Sequence, residues 1–175
     1  MSWLEKMQQT KLALVENPRL QIVFSSCTPA PETFIDLLRD RYPFLPETYL
    51  LFLKQTDGAD ICMFVLAGSG ESSFPSIETL IKRWKPNLGS GPILPIGEDP
   101  SGDCIAIIKD GSVVAIDYTI DSTDEATYLA DSFDDFLDNV LMGNKYPSLF
   151  PGGLTPHHEN EWTHFLREKG WLGSV

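Results

Sequence analysis

Cysteine is scarce in this chain of 175 residues: Cys27, Cys62 and Cys104 are all there are, an odd number with no close pair. That argues against a disulfide framework, and two of the three sit in apolar runs where a free thiol acts as a small buried hydrophobe. Long apolar stretches are missing too. The longest, Ile61 to Ala67, falls far short of the roughly 20 residues that a helix needs to cross a bilayer. The opening residues Met1-Ser2-Trp3-Leu4-Glu5-Lys6 turn polar and acidic too early for a secretory leader, so a cytoplasmic protein is expected. Basic residues are few: 13 Lys and Arg stand against 25 Asp and Glu, a formal net charge of −12. Such a field repels nucleic acid and anionic lipid and attracts basic proteins. Neither nucleic acid nor membrane is therefore expected as a partner, and another protein is. No internal repeat or low-complexity tract appears, so the chain reads as globular, with enough length for a substantial core.

Catalytic spacings are also lacking. The histidines, His157, His158 and His164, all lie near the C-terminus. The first two are adjacent and point apart, so no metal is expected from them. A cysteine nucleophile would find its base only in that distant segment. Gly68-Ser69-Gly70 lacks the flanks of a nucleophile elbow or a phosphate-binding loop. Asp99-Pro100-Ser101-Gly102-Asp103 fails the calcium-loop spacing and suits a β-turn. The expectation is a protein that is not an enzyme and carries neither cofactor nor metal.

What the sequence does have is acid in one place. From Lys109 to Lys145 no Lys or Arg intervenes, while Asp110, Asp117, Asp121, Asp124, Glu125, Asp131, Asp134, Asp135 and Asp138 all fall there. Asp57 and Asp60, with Asp99 and Asp103, sit in loops that adjoin strands of one sheet and are expected on a common rim. The candidate partner-binding set is thus Asp57, Asp60, Asp99, Asp103, Asp117, Asp121, Asp124 and Glu125, facing Arg and Lys of a partner.

Local signals order the chain. Ser2 with Glu5 three residues on forms a capping box for a first helix to about Val15. A short strand is expected at Leu20 to Phe24, and Pro31-Glu32 opens a second helix ending near Tyr42. Pro46 begins a third, with Tyr49, Leu50, Phe52 and Leu53 as its buried stripe and Asp57-Gly58 as its stop. Ile61 to Leu66 reads as one central strand. A helix from Ser76 to Trp84 precedes Ile93 to Ile96, a strand interrupted by Pro95. Cys104 to Ile108 and Val113 to Ile116 flank Asp110-Gly111, the pair preferred in a type I′ hairpin turn. A strand at Ala126 to Leu129 follows, then a Ser132-capped helix with Phe133, Phe136, Leu137, Val140 and Leu141 at α-helical spacing. A last helix runs from about Glu159 to Lys169. Sequential strands joined by tight turns give an antiparallel sheet with helices packed on it, so the class is α+β. Residues 1–143 form this single domain. Residues 144–175 are an extension with one helix, whose Trp162, Phe165 and Leu166 must dock either on the domain or on a second copy of the chain, which leaves a homodimer open.

The order of the Pro46 helix, the Gly58 turn, the strand ending Pro95-Ile96-Gly97, the Ser101-Gly102-Asp103 turn, the hairpin and the Ser132-Phe133-Asp134-Asp135-Phe136-Leu137 helix resembles the SUKH superfamily of Smi/Knr-type domains. The similarity runs from about Pro29 to Leu141. Asp57-Gly58-Ala59 stands where that family often has Asn-Gly-Gly. The resemblance implies an α+β domain that binds other proteins without catalysis: in bacteria an immunity protein that binds and neutralises a cognate toxin, in fungi a cell-wall regulator. It would set the acidic surface against a basic toxin domain, with a housekeeping regulatory or scaffolding role as the alternative and an enzyme using the loop carboxylates as a distant third.

Overall fold

The computed structural model describes residues 1–119 and 125–173. Seven strands among them pair in the order of the chain, each antiparallel to the next. These are β1 (Phe24–Ser26), β2 (Ala59–Ile61), β3 (Phe64–Leu66), β4 (Ile93–Glu98), β5 (Cys104–Ile108), β6 (Val113–Ile116) and β7 (Thr127–Ala130). The fold is α+β, a meander with helices laid on it.

Capping chemistry fixes the helix starts. Helix α1 (Trp3–Glu16) opens with the Ser2–Glu5 capping box, the Ser2 amide donating to Glu5 Oε2 at 2.7 Å. Helix α2 (Glu32–Arg41) is followed by α3 (Glu47–Leu53), with Pro46 at its N-cap, where a missing N–H costs nothing. Tyr49, Phe52 and Leu53 of α3 are fully buried, and Phe133 meets Tyr49 and Phe52 edge-on at 5.1 and 5.5 Å. Ser76 caps α4 (Ile77–Trp84), whose Ile77, Leu80 and Trp84 are buried.

Four local expectations are corrected. Ile61 to Leu66 is not one strand but the tight hairpin β2–β3, turning at Cys62 (φ 52°) and Met63 (φ 71°). Two positive φ values in a two-residue loop define a type I′ turn, here built without glycine. The Asp110-Gly111 hairpin exists but is not type I′. Its Gly111 amide donates to the Ile108 carbonyl at 2.9 Å, and only Gly111 (φ 88°) is left-handed, so the turn is type I with a following bulge. The first strand begins at Phe24, because Pro18–Ile22 forms a 3₁₀ turn. Finally, α5 (Phe133–Asp135) widens into a π-helix at Phe136–Leu141, with the Met142 amide reaching the Leu137 carbonyl at 3.1 Å. The buried Lys6 ammonium of α1 takes up carbonyls at that end, those of Asp138 at 2.6 Å and Met142 at 3.0 Å.

Helix α6 (Glu161–Glu168) packs on its own chain. Trp162 stacks on Phe24 at 5.9 Å and donates its indole N–H to the Leu141 carbonyl at 3.0 Å. Upstream, the Tyr146 hydroxyl meets Cys62 Sγ at 3.0 Å. Lys6 lies over the Trp171 ring at 5.6 Å, so the N-terminal helix and the segment after α6 meet.

Candidate functional site

The antiparallel register brings three connections to one end of the sheet. Ile61 pairs with Phe64, Val65 with Glu98, and Cys104 with both Glu98 and Ile116. The Cys62–Met63 turn, the Asp99–Asp103 turn and the start of the β6–β7 link therefore lie together. Between them and the segment after Gly143 opens a cleft of about 460 Å³. Its walls are the β4–β5 turn (Asp99, Ser101, Asp103), β7 (Thr127, Tyr128, Leu129) and the extension (Ser148, Leu149, Pro151), with Phe64 and Ala115 as the remaining lining.

The β4–β5 turn is held by its own acid. Asp99 Oδ1 accepts from the Ser101 and Asp103 amides at 2.8 and 3.0 Å, and Gly102 (φ 87°) completes the reversal. The Asp103 carboxylate has no hydrogen-bond donor and no cation among the described residues. Burial, and then the charges of Asp99 and Asp117, push its carboxyl above the usual range. Asp117 stands across from Asp103 because Cys104 pairs with Ile116, and its Oδ1 accepts from the Thr119 amide at 2.7 Å. Asp60 caps the neighbouring turn through the Met63 amide at 2.8 Å, and burial raises its pKa. Glu125 is exposed. Asp121 and Asp124 lie outside the described residues.

Asp57 is elsewhere. It precedes β2 and so lies toward the opposite end of the sheet from the β4–β5 turn. Only 3% of it is exposed, and its carboxylate accepts the Ser69 amide and hydroxyl, both at 2.6 Å. The expectation that Asp57 shares a rim with Asp99 and presents charge outward is corrected: it pins the loop that follows β3. Gly68 is required there, since a Cβ on it would meet Asp57 Oδ1 at 2.2 Å.

The acidic run also divides once folded. Asp134 accepts the Trp3 indole N–H at 2.8 Å, Asp135 binds Lys145 at 2.7 Å, and Asp138 lies 3.8 Å from Lys6. Asp131 accepts from the Tyr128 hydroxyl, which that bond pushes up to about 12. Asp110 caps the hairpin turn through the Ser112 amide at 2.9 Å. Those acids serve the fold, which leaves Asp99, Asp103, Asp117 and Glu125 as the charge this end presents. Sequence reasoning missed the cleft's other wall, Ser148, Leu149 and Pro151. Pro147, Pro151, Gly152 and Gly153 make that stretch rich in turn residues, and composition does not say what a loop packs against.

No group of three or more His, Cys, Asp or Glu among the described residues is placed to hold a metal ion. None of their helices is long and apolar enough to cross a membrane. Cys104 is fully buried, and burial pushes its thiol up to about 12, far from the thiolate that nucleophilic chemistry needs.

A seven-stranded meander carrying helices, with Asp99, Asp103, Asp117 and Glu125 gathered at one end, defines a class of α+β domain. The chain belongs to the SMI1 / KNR4 family (SUKH-1), whose model matches residues 29–139. Among curated proteins, none matches the chain. Helix α1, β1 and everything after Asn139 lie outside the matched span, yet they supply Trp3, Phe24 and Trp162 to the same core.

Proposed function

We propose that this protein is a non-catalytic, cytoplasmic binding domain, an immunity protein that occupies and neutralises a cognate bacterial toxin. Family membership supports the protein-binding reading. The observation that carries the choice of surface is the group Asp99, Asp103 and Asp117 at one end of the sheet, in a chain of net charge −12. Exposed carboxylates of this kind steer a basic partner toward the correct face and raise the association rate more than they slow dissociation. The steering is screened within a Debye length, about 8 Å at physiological salt.

The test is a titration of purified protein against the toxin encoded beside its gene. Neutralisation should reach completion at one protein per toxin, and association should slow steeply as salt rises. Complete inactivation by a small fraction of an equivalent would instead identify an enzyme. Absence of any neighbouring toxin, together with a stable complex with a resident cellular protein, would favour the regulatory or scaffolding role.

A further inference from the structure

We propose that the cleft at the β4–β5 turn is a socket for one lysine or arginine side chain of the protein partner, and that the extension after Gly143 decides which partner fits by supplying its third wall. The inference rests on the protein-binding reading and names the place and chemistry of the contact.

Three independent features of the cleft point the same way. None of its lining residues among the described ones is a cation, and they include Asp99 and Asp103, with Asp117 acting on Asp103. Among the described residues the Asp103 carboxylate has neither donor nor cation to answer it, so a guanidinium or ammonium would meet an unpaired carboxylate flanked by two like charges. Phe64, Ala115, Leu129 and Leu149 add apolar lining that suits the methylene stem of a long basic side chain. Ser101, Thr127 and Ser148 also line the cleft, and their hydroxyl oxygens are of a kind that can accept the remaining N–H groups. An anion or a nucleic-acid phosphate would be repelled, and a purely apolar side chain would leave the carboxylates desolvated. The smaller cleft of about 260 Å³ beside α4 is a poorer candidate, because its carboxylate, Glu98, is already met by Arg83 at 2.5 Å.

The third wall is tethered on both sides. Tyr146 is anchored on Cys62, the same cysteine accepts from the Asn160 side chain at 3.5 Å, and Trp162 is buried against Phe24. Ser148, Leu149 and Pro151 are thereby held over the sheet although they lie beyond the family's matched span of 29–139. The family domain alone contributes the acids and the β7 wall. This chain's own extension closes the socket, and substitutions there would change the fit without touching the core.

The test needs no toxin. Isotope-labelled full-length protein is titrated with N-acetyl-arginine amide and N-acetyl-lysine amide, with N-acetyl-norleucine amide as the uncharged control, and backbone amide shifts are followed. Saturable shifts confined to Ser101, Asp103, Leu129 and Leu149, at millimolar affinity and with the charged amides only, are expected. Asp103→Asn should weaken them at least about five-fold, in the range of a lost charge-assisted hydrogen bond. Ser148→Lys, at an exposed wall position, should abolish them by placing a tethered cation in the socket while the remaining spectrum stays unchanged. Shifts scattered over acidic residues across the surface, or equal shifts with the norleucine amide, would overturn the proposal. A socket that binds the charged amides in a protein that neutralises no neighbouring toxin would remove the immunity reading alone. Neutralisation unaffected by both variants, with no localised shifts, would remove the socket alone.

Discussion

Replacing Met63 by glycine should make this protein more stable, although the change deletes a side chain. Met63 holds φ 71° in the β2–β3 turn, and L residues in the left-handed region carry a cost of about 1–2 kcal/mol that glycine avoids. Glycine adds freedom to the unfolded chain, offsetting about 0.5–1 kcal/mol of that gain. The side chain is 60% exposed, so little burial is lost, and the Asp60 bond to the Met63 amide survives because it uses the backbone. The net expectation is a gain of about 0.5–1 kcal/mol, which for a domain of this size is a rise in Tm of roughly 1–4 °C. Cys62→Gly is the control. It relieves the same kind of strain at φ 52°, but it removes a buried Sγ that contacts the Tyr146 hydroxyl at 3.0 Å. Leaving that hydroxyl without its partner costs about 1–3 kcal/mol, so this variant should lose stability. Urea and thermal denaturation of the three proteins decide the matter. A lower Tm for Met63→Gly would refute the argument, since it would mean that the methionine side chain contributes more than its backbone geometry costs.

Phe52→Ala, in the aromatic cluster with Tyr49 and Phe133, should destabilise by about 3–5 kcal/mol in urea titration. Asp57→Asn should cost about 1–3 kcal/mol, because the Ser69 amide and hydroxyl lose a charged acceptor, and it should leave partner association at low salt unchanged. Asp103→Asn should be more stable than the native protein at pH 7. The folded-state pKa of Asp103 is raised, so its ionised form opposes folding above that pKa. The opposition fades as pH falls through the raised value and is gone below the unfolded-state value of about 3.9, so denaturation midpoints of the two proteins should converge there.

Much of the fold was readable because its signals are local. Ser2 with Glu5, Pro46, Ser76 and Ser132 mark helix starts through contacts within a few residues, and each helix begins where they place it. The β2–β3 turn was not readable. Its two left-handed residues are a cysteine and a methionine, and what surrounds them comes from the Val23 carbonyl, Tyr146 and Asn160. Nor could the sequence separate structural from presented acids. Asp134 and Asp138 are taken up by Trp3 and Lys6 from 131 and 132 residues away, and Asp57 by a serine across a loop. A run of carboxylates therefore looks like a uniform surface field until tertiary contacts remove part of it.

The meeting of the N-terminal and C-terminal segments bears on how the chain acquires its shape. The pairs β2–β3, β4–β5 and β5–β6 close through short loops, the kind of contact that favours rapid folding, whereas β1–β2 and β3–β4 wait on the helices between them. The contacts of Lys6 with Asp138 and Trp171, and of Phe24 with Trp162, are of the opposite kind and demand loops almost as long as the chain. During synthesis α1 and β1 emerge first and wait, with Trp3, Lys6 and Phe24 uncovered, until the residues that bury them leave the ribosome. The cleft's third wall belongs to that final step, so a nascent chain can hold a nearly complete sheet before the cleft beside it is closed.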